Sequence, residues 1–113
     1  MSALSVRRAE IKNRAAIFAA LGDETRLSLI GTLSGGEPQS ISRLAQGSQL
    51  TRQAITKHLR VLEGAGMVHS IRAGRESLFE LRPKPLKDAQ DYLARVSSQW
   101  DDALARLKSF VEK

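Results

Sequence analysis

Few side chains in this sequence could take part in catalysis. The only histidines are His58 and His69, and the sequence contains no cysteine. The absence of cysteine excludes disulfides and thiolate chemistry. Neither histidine belongs to a pattern that would activate a serine, and no glycine-rich phosphate-binding loop is present. His69 alternates with its neighbours in a predicted strand, which indicates a structural role. His58 has two open interpretations, donating to a phosphate or packing at the boundary between a helix and the core. We therefore expect no enzymatic activity.

A short basic helix over residues 51–62 is the most informative segment of the chain. Thr51 is a suitable N-cap, because its side chain can accept a hydrogen bond from one of the first free amides. Ile55, Leu59 and Leu62 recur at helical spacing and are predicted to face a core. The opposite face carries side chains that can bond to phosphates or base edges: Arg52, Gln53, Thr56, Lys57 and Arg60. This pattern is typical of a helix that reads the DNA major groove.

A small hairpin is predicted after the basic helix. Gly64 and Gly66 end that helix, and residues 67–71 and 77–81 are expected to form two strands around a turn at 72–75. A helix of major-groove size followed by a basic hairpin is the layout of a winged-helix DNA-binding protein. The predicted DNA-contacting residues are Arg43, Thr51, Arg52, Gln53, Thr56, Lys57, His58, Arg60, Arg72 and Arg75.

Positive charge is concentrated around this helix and hairpin. The formal net charge is +6, and residues 40–75 hold six Lys or Arg against Glu63 alone, so five of the six net charges lie there. Contacts with phosphates release condensed counterions and give an affinity that depends on such charge. The alternatives are a solvated charged face, a winged helix that docks onto a protein, and nonspecific architectural DNA binding. Gln53 and Thr56 argue against the last, because amides and hydroxyls serve base readout.

Three helices are predicted before the basic helix. The first spans residues 7–21 and ends at Gly22, Asp23 caps a second over 24–33, and Ser40 caps a short third. The third helix, a tight turn containing glycine and the basic helix together match the helix-turn-helix arrangement. The apolar positions of the first helix form one stripe, and the second helix is expected to bury its own; the third helix holds three more. They are Ile11, Ala15, Phe18 and Leu21, then Leu27, Ile30 and Leu33, then Ile41, Leu44 and Ala45.

A last helix is predicted over residues 86–112. Two series of apolar residues repeat every seven positions along it and form a heptad repeat over four heptads: Leu86, Leu93, Trp100 and Leu107, and Ala89, Val96, Ala103 and Phe110. A helix of ~27 residues is about 40 Å long, and a globular body this small cannot cover its whole apolar face. One alternative is a long amphipathic helix that packs on its own domain. We prefer a helix that joins two subunits, because uncovered apolar side chains mark a partner surface. The predicted dimer-interface residues are Ile11, Phe18, Leu86, Leu93, Val96, Trp100, Leu104, Leu107 and Phe110.

The sequence thus predicts one mainly α domain over residues 1–113, with a small β-hairpin. Its parts are dimerisation helices at 7–21 and 86–112, a helix-turn-helix at 40–62 and a wing at 67–81. The longest apolar run, residues 15–21, is far shorter than a membrane span of about 20 residues. No signal peptide is expected, since Arg7 and Arg8 are followed by acidic and polar residues rather than an apolar stretch.

Three segments resemble the ArsR/SmtB family of bacterial winged-helix repressors. They are Leu-Gly-Asp-Glu-Thr-Arg-Leu at 21–27, Ile-Ser-Arg-Leu-Ala at 41–45, and Thr-Lys-His-Leu-Arg-Val-Leu-Glu-Gly-Ala-Gly-Met-Val at 56–68. The resemblance covers roughly residues 14–82. It implies a cytoplasmic homodimer joined through its first and last helices, with a reading helix in each major groove. It also implies repression by occupation of an operator, often that of the protein's own operon.

The sequence departs from this family at its metal-binding positions. Many members carry two cysteines just before the Leu-Ala of the third helix, where this chain has Ser40 and Ser42. Hydroxyl groups are poor ligands for soft or borderline metal ions. The last helix has no histidine, and its nearest approach to a ligand set is Asp88, Asp91, Asp101 and Asp102. We therefore predict no metal site and no cofactor, and the sequence does not indicate an effector.

Overall fold

The computed structural model describes residues 3–112, with side chains from Arg7 onward. It is a winged helix-turn-helix, which confirms the predicted fold class. Five helices and three short strands make up this part of the chain, with the order and bounds α1 (Ala3–Leu21), α2 (Glu24–Leu33), β1 (Gln39–Ser40), α3 (Ile41–Gln46), α4 (Arg52–Gly64), β2 (Val68–Ala73), β3 (Glu76–Leu81) and α5 (Pro83–Glu112).

Side-chain caps define where three of the helices begin. In each case the side-chain oxygen accepts a hydrogen bond from a backbone N–H three residues further on, which satisfies an otherwise free amide of the first turn. All three predicted caps are confirmed. The donor–acceptor distances are 3.0 Å from Arg26 to Asp23, 3.1 Å from Arg43 to Ser40 and 3.1 Å from Ala54 to Thr51.

One hydrophobic core joins the helices to the sheet. The predicted stripe of α4 is confirmed, because Ile55, Leu59 and Leu62 are all buried. Phe79 of β3 is fully buried, and Ala89 attaches the start of α5 to the same cluster. The remaining buried apolar residues are Ile17, Ala20, Leu29, Ile30, Leu33, Leu44, Met67 and Val68. This core holds α4 by one face and leaves its polar face toward solvent.

The buried face of α2 differs from the prediction. Leu27 was expected in the core, but its side chain is 54% exposed, and Leu29 is buried instead. At about 100° per residue, Leu29, Ile30 and Leu33 share a face about 100° wide, and Leu27 lies about 60° beyond its edge. The apolar residues of α2 therefore fit two overlapping stripes, and packing against the sheet and α4 selects one of them.

The wing is the antiparallel hairpin of β2 and β3. Ala73 pairs with Glu76, so the turn contains only Gly74 and Arg75, and Arg72 belongs to a strand rather than to the predicted four-residue turn. Gly74 has a φ of +62°, which glycine adopts without steric cost. The short strand β1 adds to the other side of β3 and was not predicted, because two residues are too few to show an alternating pattern.

The last helix, α5, extends beyond the compact body. It begins at Pro83 rather than near Leu86, because proline is tolerated in a first turn whose N–H groups have no helical partner. Leu86 packs against the core, whereas most of the later apolar side chains stay exposed. Its 30 residues span about 45 Å. No helix within residues 3–112 has the length and apolarity needed to cross a bilayer.

Candidate nucleic-acid interface

The exposed face of α4 presents the predicted reading residues together. The turn between α3 and α4 is held by the N–H of Ser48, which donates to Ala45 O at 3.1 Å, and by the N–H of Leu50, which donates to Ser48 Oγ at 3.0 Å. Because Ile55, Leu59 and Leu62 fix the opposite face in the core, the rotation of α4 about its axis is determined. Arg52, Gln53 and Lys57 consequently lie exposed on its outer face.

A hollow of about 480 Å³ lies at the junction of α3 and the first half of α4. Ile41 of α3 lines it from one side, and four residues of α4 complete it: Arg52, Gln53, Thr56 and Lys57. All four of these α4 residues were predicted to contact DNA, whereas Ile41 was given only as an apolar residue of the third helix. Ile41 is in fact half-buried, packing against the core while also reaching this surface.

The two threonines of α4 use their hydroxyl groups within the helix. Thr51 Oγ1 accepts the N–H of Ala54 as the N-cap, and the Thr56 hydroxyl donates to the carbonyl oxygen of Arg52 at 2.7 Å. The hydroxyl proton of Thr56 is therefore not free for a base, which limits the readout role that its residue type suggested. The methyl group of Thr56 is the part of the side chain that has no such partner.

Five of the predicted cationic contacts have no ion-pair partner within the described side chains. The six ion pairs there involve other residues. Each of the five is exposed, which leaves its charge available to an external anion such as a phosphate. They are Arg43 in α3, Arg52 and Lys57 in α4, Arg72 in β2, and Arg75 in the wing turn.

Arg60 has a different environment from the other predicted cations. Its Nη1 lies 2.7 Å from Glu63 Oε1, and its guanidinium carbon lies 5.8 Å from the centre of the Phe79 ring. The hydrogen bond from Arg60 is the main influence that lowers the pKa of the Glu63 carboxyl, supported by the Ser70 hydroxyl and opposed by desolvation. Arg60 therefore connects α4 to β3, and its charge already has a partner in Glu63.

His58 packs at the boundary between α4 and the core, which favours the second of its two interpretations. Its Nδ1 lies 3.2 Å from Arg26 Nη1 and 3.7 Å from Asp23 Oδ2. The hydrogen bond from the backbone N–H of Arg26 is the main influence that lowers the pKa of the Asp23 carboxyl. Desolvation opposes it, and the nearby Arg26 and His58 charges each add a smaller lowering effect. The Nδ1 edge of His58 thus faces α2 rather than an external phosphate.

Arg26 is a residue whose role the sequence does not reveal. Its Nε donates to Ala20 O at 2.6 Å and its Nη2 to Ala19 O at 3.4 Å, both at the carboxyl end of α1. Its Nη1 reaches His58 in α4. The side chain therefore connects α1, α2 and α4, and it fixes the reading helix relative to the first helix. The Gly-Asp-Glu-Thr-Arg segment predicted that Asp23 caps α2, but the spacing of residues along the chain cannot predict which distant residues Arg26 contacts.

The base of the wing is held by a polar cluster. His69 and Glu80 are paired across β2 and β3, and His69 Nε2 lies 2.8 Å from Glu80 Oε1. Arg82 Nε donates to His69 Nδ1 at 3.0 Å. These contacts support the structural role predicted for His69. Within residues 3–112, no three His, Asp or Glu side chains come together as a set that could hold a metal ion.

A helix-turn-helix with a cationic second helix, followed by a basic two-stranded wing, defines a winged-helix DNA-binding protein. Comparison with known proteins supports this class. A family described as a helix-turn-helix domain matches residues 21–71. An HTH-type transcriptional regulator of Bacillus subtilis (strain 168), YuzN, is 40% identical over 82 residues, which cover 67% of this chain and 89% of that protein.

Two further comparisons narrow the class to a family. The structure of an ArsR-like transcriptional regulator from Rhodococcus sp. RHA1 shares 37% identity and a TM-score of 0.78, covering 90% of this chain and 95% of that one. The transcriptional repressor SdpR of B. subtilis is 24% identical over 88 residues, covering 78% of this chain and 97% of that protein. The chain belongs to the ArsR family of winged helix-turn-helix transcriptional regulators, and its partner is DNA.

Proposed function

We propose that this regulator is a homodimeric repressor that recognises a specific operator and does not sense metal ions. The observation that carries the proposal is the outer face of α4, where Arg52, Gln53 and Lys57 surround one hollow and, among the described side chains, the two cations form no ion pair. Phosphate contacts by cations position a protein on DNA, whereas amides and guanidinium groups can distinguish bases. The face combines both kinds of group.

Two alternatives fit the surface less well. A winged helix that docks onto another protein has no need for five exposed cations without internal partners around α4 and the wing. Nonspecific architectural binding requires charge but no amide, and it would not favour the placement of Gln53 beside Arg52 in the first turn of α4. The amino-terminal part of a reading helix is the part that points toward base edges.

The exposed apolar faces of α1 and α5 support the homodimer. Trp100 is 64% exposed and Phe110 is 77% exposed, although both belong to the heptad repeat. Near the start of this face, Ile11, Ala15, Phe18 and Tyr92 line an open hollow of about 240 Å³ together with Arg14. Uncovered apolar side chains of this size favour association, and a two-fold dimer would place two copies of α4 at successive half-sites.

Repression follows most simply from occupancy, because a dimer bound across an operator excludes polymerase. The relative SdpR is named a transcriptional repressor, which supports repression rather than activation. The serine hydroxyl at position 40 is used as a helix cap, and the histidines contact Asp23 and Glu80 rather than a shared site. These contacts support proposals of metal-independent regulation and of no enzymatic activity. A role in binding DNA also supports a location in the bacterial cytoplasm.

The test is selection of binding sites from random duplex DNA, followed by affinity measurements on the selected site and on a scrambled duplex. We expect a two-fold related sequence with half-sites about one helical turn apart. A reporter driven by a promoter that contains this site should be repressed when the protein is expressed. Zinc, cadmium and arsenite should each change operator affinity by less than about twofold, since no thiolate is available.

Arg52→Ala and Lys108→Ala make a matched pair for this test, because each removes one positive charge. Arg52 lies on the outer face of α4, and Lys108 lies on α5 beside Glu112. Arg52→Ala should lower operator affinity and Lys108→Ala should not. Recovery of no preferred sequence, or a large and chelator-reversible loss of affinity with one metal ion, would contradict the proposal.

A further inference from the structure

The hollow between α3 and α4 has an apolar side as well as a cationic one. Ile41 enters it from α3, and its other contacts with the core keep the side chain in place. Thr56 lines the same hollow from α4. Because the Thr56 hydroxyl donates to Arg52 O at 2.7 Å, its methyl group is the part left without a partner. Two aliphatic groups are therefore available beside the polar side chains that line the same hollow.

The DNA major groove offers one apolar group that fits such a place. Each base pair shows a different pattern there, and the 5-methyl group of thymine is the apolar element of that pattern. Gln53 lines the same hollow and can bond bidentately to N6 and N7 of adenine. The thymine paired with that adenine carries its methyl group on the same groove edge, so one base pair presents both features side by side.

We propose that this hollow is a specificity pocket for a thymine 5-methyl group, with Ile41 and Thr56 as specificity-determining residues. The inference rests on the proposed recognition of a specific operator. It names one base of that operator, thymine, and the two residues that recognise it. Arg52 and Lys57 supply the phosphate and base-acceptor contacts around the pocket, whereas Ile41 and the Thr56 methyl discriminate through exclusion of water from the thymine methyl.

The test removes the methyl group from the DNA and changes nothing else. Each thymine of the selected operator is replaced in turn by deoxyuridine, and affinity is measured for every duplex. Burial of one methyl-sized group contributes about 0.8 kcal/mol, or about a fourfold change in affinity. We expect one thymine in each half-site to show this loss, and replacement in both half-sites should reduce affinity of a dimer about 15-fold.

Two variants of one residue separate the methyl group from the hydroxyl. Thr56→Ser removes the methyl and keeps the hydroxyl, whereas Thr56→Val keeps a methyl in nearly the same shape and removes the hydroxyl. Thr56→Ser should show a smaller preference for the thymine operator over the deoxyuridine operator than the wild type does, because Ile41 remains, and Thr56→Val should retain the full preference for thymine. Ile41→Ala should also reduce that preference. Thermal unfolding of each variant checks that it is folded, and the thymine-to-deoxyuridine ratio is measured within each variant.

The outcomes distinguish this inference from the function on which it rests. If the wild type prefers its operator over a scrambled duplex but tolerates deoxyuridine at every position, the pocket is refuted and the repressor proposal stands. If Thr56→Val loses the thymine preference and Thr56→Ser keeps it, the hydroxyl is the reading group and the inference is wrong. Failure to recover any preferred sequence would overturn both the pocket and specific recognition.

Discussion

Gln53 and Arg75 show how two exposed polar side chains on the same protein can contribute differently to binding. Gln53 lies in the first turn of a helix whose rotation is fixed by the core, and it shares a hollow with three further side chains of α4. Arg75 lies in a two-residue turn at the tip of the wing, where no neighbouring side chain fixes its position among the described contacts. A fixed amide suits base readout, whereas a reaching guanidinium suits phosphates or a narrow minor groove.

Substitution of these two residues should therefore affect operator and random DNA differently. Gln53→Ala should lower operator affinity by about 1–3 kcal/mol for each lost base contact and leave random-DNA affinity nearly unchanged. Arg75→Ala should weaken both and reduce the slope of log K against log salt by about 1 for each lost contact. Each effect doubles in a dimer. Affinities for operator and scrambled duplex at several salt concentrations measure both.

The opposite result would assign base readout to the wing rather than to α4. If Gln53→Ala were silent and Arg75→Ala abolished operator binding selectively, the roles assigned to α4 and to the hairpin would be exchanged. Lys108→Ala again provides the control for loss of one charge, since Lys108 lies on α5 away from both elements.

Asp23 gives a prediction for the dependence of stability on pH. Its carboxyl has a pKa below the ordinary value of 3.8, first because the backbone N–H of Arg26 donates to it and then because of the Arg26 and His58 charges. A lowered pKa in the folded state stabilises the protein at pH values above the ordinary pKa, and this contribution disappears as pH falls through the folded value. The wild type should therefore lose this stabilisation below about pH 4.

The matched variant is Asp23→Asn, which keeps a capping oxygen but does not ionise. Urea unfolding between pH 7 and pH 3 should show a smaller loss of stability at acid pH for Asp23→Asn than for the wild type. Parallel curves for the two proteins over this range would show that the Asp23 charge does not contribute to folding.

At the scale of elements, the helices that could be predicted are those with one unambiguous apolar face. The buried stripe of α4 and its Thr51 cap follow from spacing and residue type alone. The face of α2 could not be assigned, because Leu27 and Leu29 are both leucines and only packing shows which one is buried. The sequence indicated four of the five residues around the hollow, but it gave Ile41 only as an apolar residue of the third helix.

The placement of α4 relative to α1 depends on contacts that no local pattern encodes. Arg26 donates to the carboxyl end of α1 and also reaches His58 in α4. His58 was a candidate for a phosphate contact on residue type alone, and its actual partners come from a distant helix. A side chain that joins three helices should influence DNA binding without touching DNA.

Arg26→Ala should therefore reduce both stability and operator affinity. Hydrogen bonds that involve a charged group contribute about 1.5–3 kcal/mol each, so a loss of about 2–3 kcal/mol in the free energy of unfolding is expected. Denaturant unfolding and operator binding measure the two effects. Arg43→Ala is the control, because the exposed Arg43 side chain has no ion-pair partner within the described residues and should change stability by less than about 0.5 kcal/mol. Equal stability of the two variants would show that Arg26 does not link the helices.

At the scale of the whole molecule, the chain leaves much of its apolar surface uncovered. The body of α1, α2, α4 and the sheet has a complete core, yet α5 continues beyond it to give a longest dimension of 67 Å. The heptad repeat predicted this surface in part: Ala89 is buried, Leu86 packs on the core of its own chain, and Val96 and Ala103 are half-buried. Phe18 of α1, also predicted for the interface, packs on the same core. The exposed apolar residues of the two terminal helices are Ile11, Leu93, Trp100, Leu104, Leu107, Phe110 and Val111.

Because these apolar residues are exposed in the single chain, substitutions there should affect dimer formation but not folding. The proposed homodimer can therefore be tested by substitution. Trp100 and Leu107 are 64% and 59% exposed within one chain, so a glutamate at either position should leave the core intact. In an apolar interface between subunits, the same glutamate would be buried without a partner, at a cost of several kcal/mol. Trp100→Glu and Leu107→Glu should therefore be folded monomers, whereas the wild type should be a dimer at micromolar concentration.

Analytical ultracentrifugation over a range of concentrations measures the assembly, and circular dichroism checks the fold. Ser98→Glu is the matched control, because it adds the same charge to an exposed position of α5 outside the heptad repeat. It should remain dimeric. The monomeric variants should also bind an operator far more weakly than the wild type, since each would hold only one half-site. A wild type that sediments as a monomer at high concentration, or a Trp100→Glu variant that sediments as a dimer, would exclude α5 as the subunit interface.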